Sequence, residues 1–157
     1  MKSSILRITL SFFCGAFFSL IAVTASAGNA DSDYGYYDCN GYYYKSQNRV
    51  STTSSYAYAI TYVQSQNLNI IIPSGYVGIE PCLYDANTGK AVSKYPMAYN
   101  SNSGYIFLEV TPFYYAKKGT FYSQGITRAY HVSDENAIYH PYHQFGTFRS
   151  PNQSISN

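Results

Sequence analysis

The sequence of 157 residues contains no tryptophan, and only 11% of its residues are charged. Its one pair of adjacent basic residues is Lys117 and Lys118. A protein that binds the phosphate backbone of a nucleic acid usually presents clustered lysine and arginine side chains. The sequence has no such cluster, so it predicts no nucleic-acid partner.

The common catalytic motifs are also missing. The sequence has no G-x-S-x-G elbow, no H-E-x-x-H pair, no P-loop and no dinucleotide-binding fingerprint. Glycoside hydrolysis needs two opposed carboxylates, and Glu80 and Glu109 are the strand residues that could face one another. Their sequence context gives no aromatic subsite around both. We therefore predict a protein that is not an enzyme and that needs no cofactor.

The N-terminus has the pattern of a secretory signal peptide. Lys2 and Arg7 precede an apolar run over Ile8–Val23, and small residues follow it. The run has 16 residues, close to the lower limit of about 17 for a membrane span, so a membrane anchor is the alternative. The small-residue site predicts cleavage after Ala27, or after Ala30. We therefore expect a secreted or cell-surface protein with no membrane span after cleavage.

Cleavage after Ala27 leaves 130 residues, enough for one compact domain. Removing Lys2 and Arg7 from the ten basic residues leaves eight, which equals the eight acidic residues. The mature chain is therefore close to neutral when its histidines are neutral. We divide the chain into the signal peptide (residues 1–27), a tyrosine-rich segment (28–49), a β-sandwich domain (50–148) and a disordered tail (149–157).

Two cysteines remain after cleavage, Cys39 and Cys82. In an oxidising compartment a single pair of this kind predicts a disulfide, which would fasten the tyrosine-rich segment to the domain. Two free, buried thiols are the alternative.

The pattern after Val50 is that of β-strands. Large and small residues alternate over residues 56–63, and a second apolar run begins at Leu68 and ends before Pro73. Turn-forming residues at 85–90 and a long run bent near Gly125 continue the pattern. The sequence predicts an all-β fold, a small antiparallel sandwich of Ig-like or jelly-roll-like type, with a small β-barrel as the alternative.

The segment YGYYDCNGYYY, residues 34–44, contains six tyrosines. Tyrosine covers apolar surface and keeps its hydroxyl group in water, which by itself accounts for many tyrosines on a half-buried sheet. Exposed rings could also stack on sugars or contact a protein surface outside the cell, and self-association is a third possibility. The predicted ligand-binding residues are Tyr36, Tyr37, Tyr42, Tyr43 and Tyr44.

The histidines give the alternative function. His131, His140 and His143 could form a zinc site, and the protein would then be a metal-dependent hydrolase or a toxin-like effector. Surface histidines in a loop are the simpler interpretation, so we assign no metal. Asp85, Asn87 and Gly89 resemble the start of a calcium-binding loop, but the later acidic ligand is missing. We therefore predict a hairpin turn there.

Overall fold

The computed structural model of the protein describes residues 27–131 and 141–156. These ranges form β-strands and no helix, so the all-β prediction is confirmed. They contain no helix that could cross a bilayer. The predicted signal peptide lies outside the described residues, except for Ala27. The strands are β1 (Gly28–Asp31), β2 (Gly35–Cys39), β3 (Tyr42–Thr52), β4 (Tyr56–Ser65), β5 (Val77–Glu80), β6 (Cys82–Asp85), β7 (Ala91–Lys94), β8 (Ala98–Tyr99), β9 (Ile106–Val110), β10 (Tyr114–Tyr115), β11 (Gly119–Ser123), β12 (Ile126–Tyr130), β13 (Tyr142–Gly146) and β14 (Gln153–Ile155).

The first layer is a six-stranded antiparallel sheet built around β3 and β4. These two strands pair continuously from Tyr44 opposite Ser65 to Thr52 opposite Ala57. Strands β1 and β2 pair with the other side of β3, and β9 and β10 with the other side of β4. Because side chains alternate across a strand, β4 buries its alanines, Thr61 and Val63 and leaves its tyrosines on the outer face.

The second layer consists of two four-stranded antiparallel sheets, β14-β11-β6-β7 and β13-β12-β5-β8. Strand β5 is followed by β6 across Pro81, and β11 is followed by β12 across Gln124 and Gly125. The two sheets are therefore successive halves of one bent layer. The sheets do not close into a barrel, so the sandwich prediction is confirmed and the barrel alternative is wrong.

Gly125 marks the bend that was predicted from the sequence. A Cβ atom on this residue would lie 2.8 Å from the carbonyl oxygen of Glu80 and would also collide with the hydroxyl group of Thr61. Thr61 belongs to the first layer, so the two layers approach each other closely at this point. Only glycine leaves enough space for that approach.

The core consists of two apolar clusters, one on each side of the bend. The first contains Cys39, Tyr44, Val63, Ile72, Val77, Ile79 and Ala129, and the second contains Val50, Ala57, Ala59, Leu83, Phe121 and Ile155. Between them lies a polar belt of Asn48, Thr61 and Thr147, which are all buried.

Hydrogen bonds within the polar belt connect the two layers. Thr61 Oγ1 donates to Asn48 Oδ1 at 2.6 Å, and Asn48 Nδ2 donates to Thr147 Oγ1 and, at 2.6 Å, to the carbonyl oxygen of Phe148. Thr147 Oγ1 donates to the carbonyl oxygen of Gly125 at 2.7 Å. These bonds satisfy polar groups that would otherwise lose hydration without compensation.

Two segments differ from their predictions. The run that begins at Leu68 forms turns and one isolated bridge instead of a strand. Leu68, Ile70 and Ile71 are exposed, whereas Ile72 pairs with Gly104 and is buried in the first cluster. The predicted disordered tail contains β14, which pairs with β11 and buries Ile155 in the second cluster. Ile155 anchors this tail because it removes apolar surface from water, although polar residues surround it in the sequence.

Candidate functional site

The predicted tyrosine platform is divided between the two faces of the first layer. Tyr36 and Tyr43 lie on the outer face and are 65% and 59% exposed. Tyr44 is completely buried, and Tyr37 stacks on its ring with 5.1 Å between the centroids. Tyr42 is partly buried and packs against the first cluster. The five rings therefore do not form one surface, and Tyr37 and Tyr44 belong to the core.

Burial also changes the chemistry of the two core tyrosines. Loss of hydration raises the pKa of both Tyr37 and Tyr44 well above the usual value for a phenol. The hydroxyl group of Tyr44 lacks a hydrogen-bond partner in the part of the chain that the structure describes. These side chains therefore remain neutral at physiological pH and stabilise the first cluster.

The predicted disulfide between Cys39 and Cys82 is wrong, because both are free, buried cysteines. Cys39 ends β2 in the first layer, and its sulfur lies 3.4 Å from the carbonyl oxygen of Tyr130. Cys82 begins β6 in the second layer and is paired in register with Lys94. A disulfide needs Cα atoms within about 7 Å and converging Cβ atoms. Burial raises the pKa of both thiols, so they stay protonated.

Two of the three predicted zinc ligands lie side by side. The rings of His131 and His143 have centroids 4.3 Å apart and are tilted by 35°. His140 lies outside the described residues. The residues that the structure describes contain no group of three or more histidine, cysteine or acidic side chains that could hold a metal ion.

The calcium-like segment is the hairpin turn that was predicted. The Asp85 carboxylate accepts hydrogen bonds from the backbone amides of Asn87 and Thr88 at 2.9 and 2.8 Å. These bonds, chiefly the one from Thr88, lower the pKa of Asp85. Gly89 has a φ of 67°, which suits glycine in a turn.

The two strand carboxylates are not paired for hydrolysis. Glu80 forms an ion pair of 2.8 Å with Lys94. Glu109 lines a cleft of about 340 Å³ between β9 and the loop at Asn100–Gly104, and Glu80 is not among the residues that line it. Burial raises the pKa of Glu109.

The outer face of the first layer carries a groove lined by aromatic, amide and cationic side chains. This groove of about 240 Å³ crosses strands β3, β4 and β9. We call it the outer-face groove, and it is lined by Tyr34, Lys45, Gln47, Arg49, Tyr62, Gln64 and Ile106. The register places Gln47 opposite Tyr62 and Lys45 opposite Gln64, so one aromatic ring, two amides and a cation are neighbours on its floor.

Neighbouring groups hold the rings and cations of this groove in place. Arg49 donates two hydrogen bonds to Asp31 at 2.6 and 2.9 Å, and its guanidinium carbon lies 5.5 Å from the centre of the Tyr62 ring. The Lys45 ammonium lies 4.9 Å from the centre of the Tyr34 ring. Such cation–ring contacts restrict both partners.

A hydrogen bond fixes one of the two glutamine side chains in the groove. Gln47 Nε2 donates to the carbonyl oxygen of Ser32 at 2.9 Å, whereas the Gln64 side chain has no hydrogen-bond partner within the described ranges. Burial raises the pKa of Tyr62, although Arg49 partly opposes this. The groove therefore offers a neutral phenol and an amide as hydrogen-bonding groups.

Farther along the same face lies a second group of rings, the four-ring cluster of Tyr56, Tyr58, Phe113 and Tyr115. Phe113 stacks on Tyr56 with 4.7 Å between centroids and meets Tyr58 edge-on at 5.2 Å. Tyr115 meets Tyr56 edge-on at 5.8 Å. Phe113 is 51% and Tyr115 72% exposed.

The outer face of the second layer presents its rings differently. Tyr84 and Tyr122 are stacked, with centroids 5.0 Å apart, and the guanidinium of Arg149 lies 3.6 Å from the centre of the Tyr122 ring. The cation therefore covers one face of the Tyr122 ring.

None of the five tyrosines predicted as ligand-binding residues lines the outer-face groove. The signal was present, since Lys45, Gln47 and Arg49 alternate with buried residues on β3, as Tyr62 and Gln64 do on β4. No protein-family model matches the chain, and no curated protein or solved structure is detectably similar to it. Its function must therefore be inferred from the site.

Proposed function

We propose that the protein is a secreted, non-enzymatic binding module that recognises a glycan through the outer-face groove. The observation that supports this most directly is the combination of two tyrosine rings, Tyr34 and Tyr62, with the Gln47 and Gln64 amides in one open groove. Secretion is proposed from the signal-like N-terminus of the sequence.

Sugars match this combination chemically. A sugar ring has C–H faces that pack on aromatic rings and hydroxyl groups that exchange hydrogen bonds with amides and phenols. In the groove, Tyr62 can supply the ring, and Gln64 has an amide that is not committed to another residue of the described chain. The groove of about 240 Å³ is smaller than the roughly 300–1,000 Å³ of a site for a drug-sized ligand. One sugar unit of a longer glycan is the ligand that fits this size.

The rigidity of the groove supports binding. Arg49 is fixed by Asp31 and by Tyr62, and Lys45 by Tyr34. Side chains that are already ordered lose less conformational entropy when a ligand binds. The ion pair with Asp31 also compensates the charge of Arg49.

The test is a glycan array probed with the mature protein, residues 28–157. We expect binding to at least one class of glycan, and Tyr62→Ala should lower the affinity for that glycan about tenfold or more, the change that corresponds to one lost contact of about 1.4 kcal/mol. Gln64→Ala should have a smaller effect in the same direction. Tyr95→Ala is the matched control, because Tyr95 is 38% exposed and does not line the groove.

Absence of binding to every glycan on the array, with the folded state verified by circular dichroism, would refute the proposal. Equal losses for Tyr62→Ala and Tyr95→Ala would also refute the assignment of the groove. The alternative of a metal-dependent hydrolase or toxin-like effector depends on His140, which lies outside the described residues, and we do not propose it.

A further inference from the structure

The outer face contains two aromatic sites on one strand. Side chains at alternate positions share a face, so Tyr56, Tyr58 and Tyr62 of β4 all lie on the outer side of the first layer. Tyr62 belongs to the outer-face groove and Tyr56 to the four-ring cluster. The pairing of β4 with β3 runs through both sites without a bulge, so the strand is regular between them.

The distance between the sites follows from strand geometry. Tyr56 and Tyr62 are six residues apart, and an antiparallel strand rises about 3.4 Å per residue, which gives roughly 20 Å. A single sugar unit cannot contact both sites, whereas an extended oligosaccharide can.

The four-ring cluster has polar groups beside it, as a sugar subsite requires. A depression of about 230 Å³ next to Tyr115 is lined by Ser54, Ser55, Ala116 and Lys117. Serine hydroxyls and a lysine ammonium can hydrogen-bond to sugar hydroxyls. The edge-on and stacked contacts between the four rings fix Phe113 and Tyr115 before a ligand arrives, which lowers the entropic cost of binding.

We infer that the four-ring cluster is a second sugar subsite, so that the ligand is an extended, β-linked glycan chain lying along β4 across both sites. This inference rests on the proposed glycan-binding function of the outer-face groove. A regular strand presents its two ring sites in a straight line, and a straight chain of β-linked sugars can follow that line. A coiled, α-linked chain cannot contact both sites in the same way.

The experiment measures affinity by isothermal titration calorimetry for cellobiose and cellohexaose and for the disaccharide and hexasaccharide of β-linked N-acetylglucosamine. Maltohexaose serves as the α-linked control. For the wild-type protein we expect at least tenfold tighter binding of one β-linked hexasaccharide than of its disaccharide, and no such gain with maltohexaose. Two linked contacts increase affinity in this way because the second is intramolecular.

The double variant Phe113→Ala/Tyr115→Ala should remove most of this length dependence and change disaccharide binding less than twofold. Both rings are at least half exposed, so their truncation removes little of the core, and thermal unfolding verifies that the variant is folded. Tyr95→Ala should behave like the wild type.

The outcomes separate the two proposals. If Tyr62→Ala weakens both oligosaccharide lengths but the double variant affects neither, the second subsite is refuted and the groove remains. If neither hexasaccharide binds although the array shows binding to another glycan, the inference of a β-linked chain is refuted and the glycan-binding function remains. If an oligosaccharide binds but Tyr62→Ala changes the affinity for neither length, the assignment of the groove is refuted and this inference falls with it. A gain in affinity with maltohexaose equal to that with the β-linked chains would refute the extended-chain geometry.

Discussion

Replacing Asn48 by alanine should strongly destabilise the protein, because its amide connects both layers. The side chain is completely buried. It accepts one hydrogen bond from Thr61 and donates to Thr147 and to the Phe148 carbonyl. Alanine would leave the buried Thr61 hydroxyl and the partly buried Phe148 carbonyl without these partners.

The magnitude follows from the number of groups left unpaired. A buried polar group that loses its partner costs about 1–3 kcal/mol, so the buried Thr61 hydroxyl and the partly buried Phe148 carbonyl together predict a loss of roughly 3 kcal/mol in the free energy of unfolding. For a domain of this size 1 kcal/mol shifts Tm by about 4 °C, which gives a decrease of roughly 12 °C. Urea denaturation followed by circular dichroism measures the free energy of unfolding.

A double-mutant cycle tests the connection itself. Thr61→Val removes the hydroxyl group that alanine at position 48 leaves unpaired. The double variant Asn48→Ala/Thr61→Val should therefore lower the free energy of unfolding by less than the sum of the losses from the two single substitutions. Asn102→Ala is the control, since Asn102 is exposed and its loss should change stability by less than about 0.5 kcal/mol. A loss below 1 kcal/mol for Asn48→Ala would show that the polar belt does not hold the layers together.

Three further predictions concern the core. Gly125→Ala should lower the free energy of unfolding by about 1–3 kcal/mol through overpacking against Thr61, and an unchanged urea midpoint would contradict the close approach of the layers. Tyr44→Phe should leave stability unchanged or raise it by up to about 1 kcal/mol, because the lost hydroxyl has no partner within the described residues. Tyr44 has a raised pKa in the folded state, so its contribution to stability is complete below the unfolded pKa of about 10 and declines as the pH rises above it. Tyr44→Phe should therefore reduce alkaline unfolding, measured by circular dichroism between pH 9 and 12. Cys39 and Cys82 should react with a thiol reagent only after denaturation, giving two thiols per chain of residues 28–157. Absence of titratable thiols in the denatured protein would contradict this and support a disulfide between them.

Local patterns predicted the elements whose formation depends on neighbouring residues. The alternation over residues 56–63 became β4, the turn at 85–90 joined β6 to β7, and the bend fell at Gly125. Steric preferences of the backbone and a period of two are properties of short segments, so they can be read without the rest of the chain.

The run at Leu68 shows where a local pattern is insufficient. Its aliphatic residues suit a buried strand, yet the run forms turns and one isolated bridge at Ile72, and Leu68 and Ile71 are about half exposed. The prediction for the tail failed in the opposite direction. The tail was expected to be disordered, but β14 pairs with the edge of β11. Whether a segment finds a pairing partner depends on residues far away in the sequence.

The sequence by itself determined the secondary structure class, the balance of charges over residues 28–157 and the abundance of tyrosine. Only the tertiary structure decided which tyrosines are buried, because β2 and β3 carry tyrosines on both faces and alternation does not say which face meets the second layer. Packing placed Tyr37 and Tyr44 in the core and Tyr36 and Tyr43 in solvent. It also assigned Cys39 and Cys82 to separate, unpaired positions, since the spacing of cysteines in a sequence carries no information on the distance between their sulfur atoms.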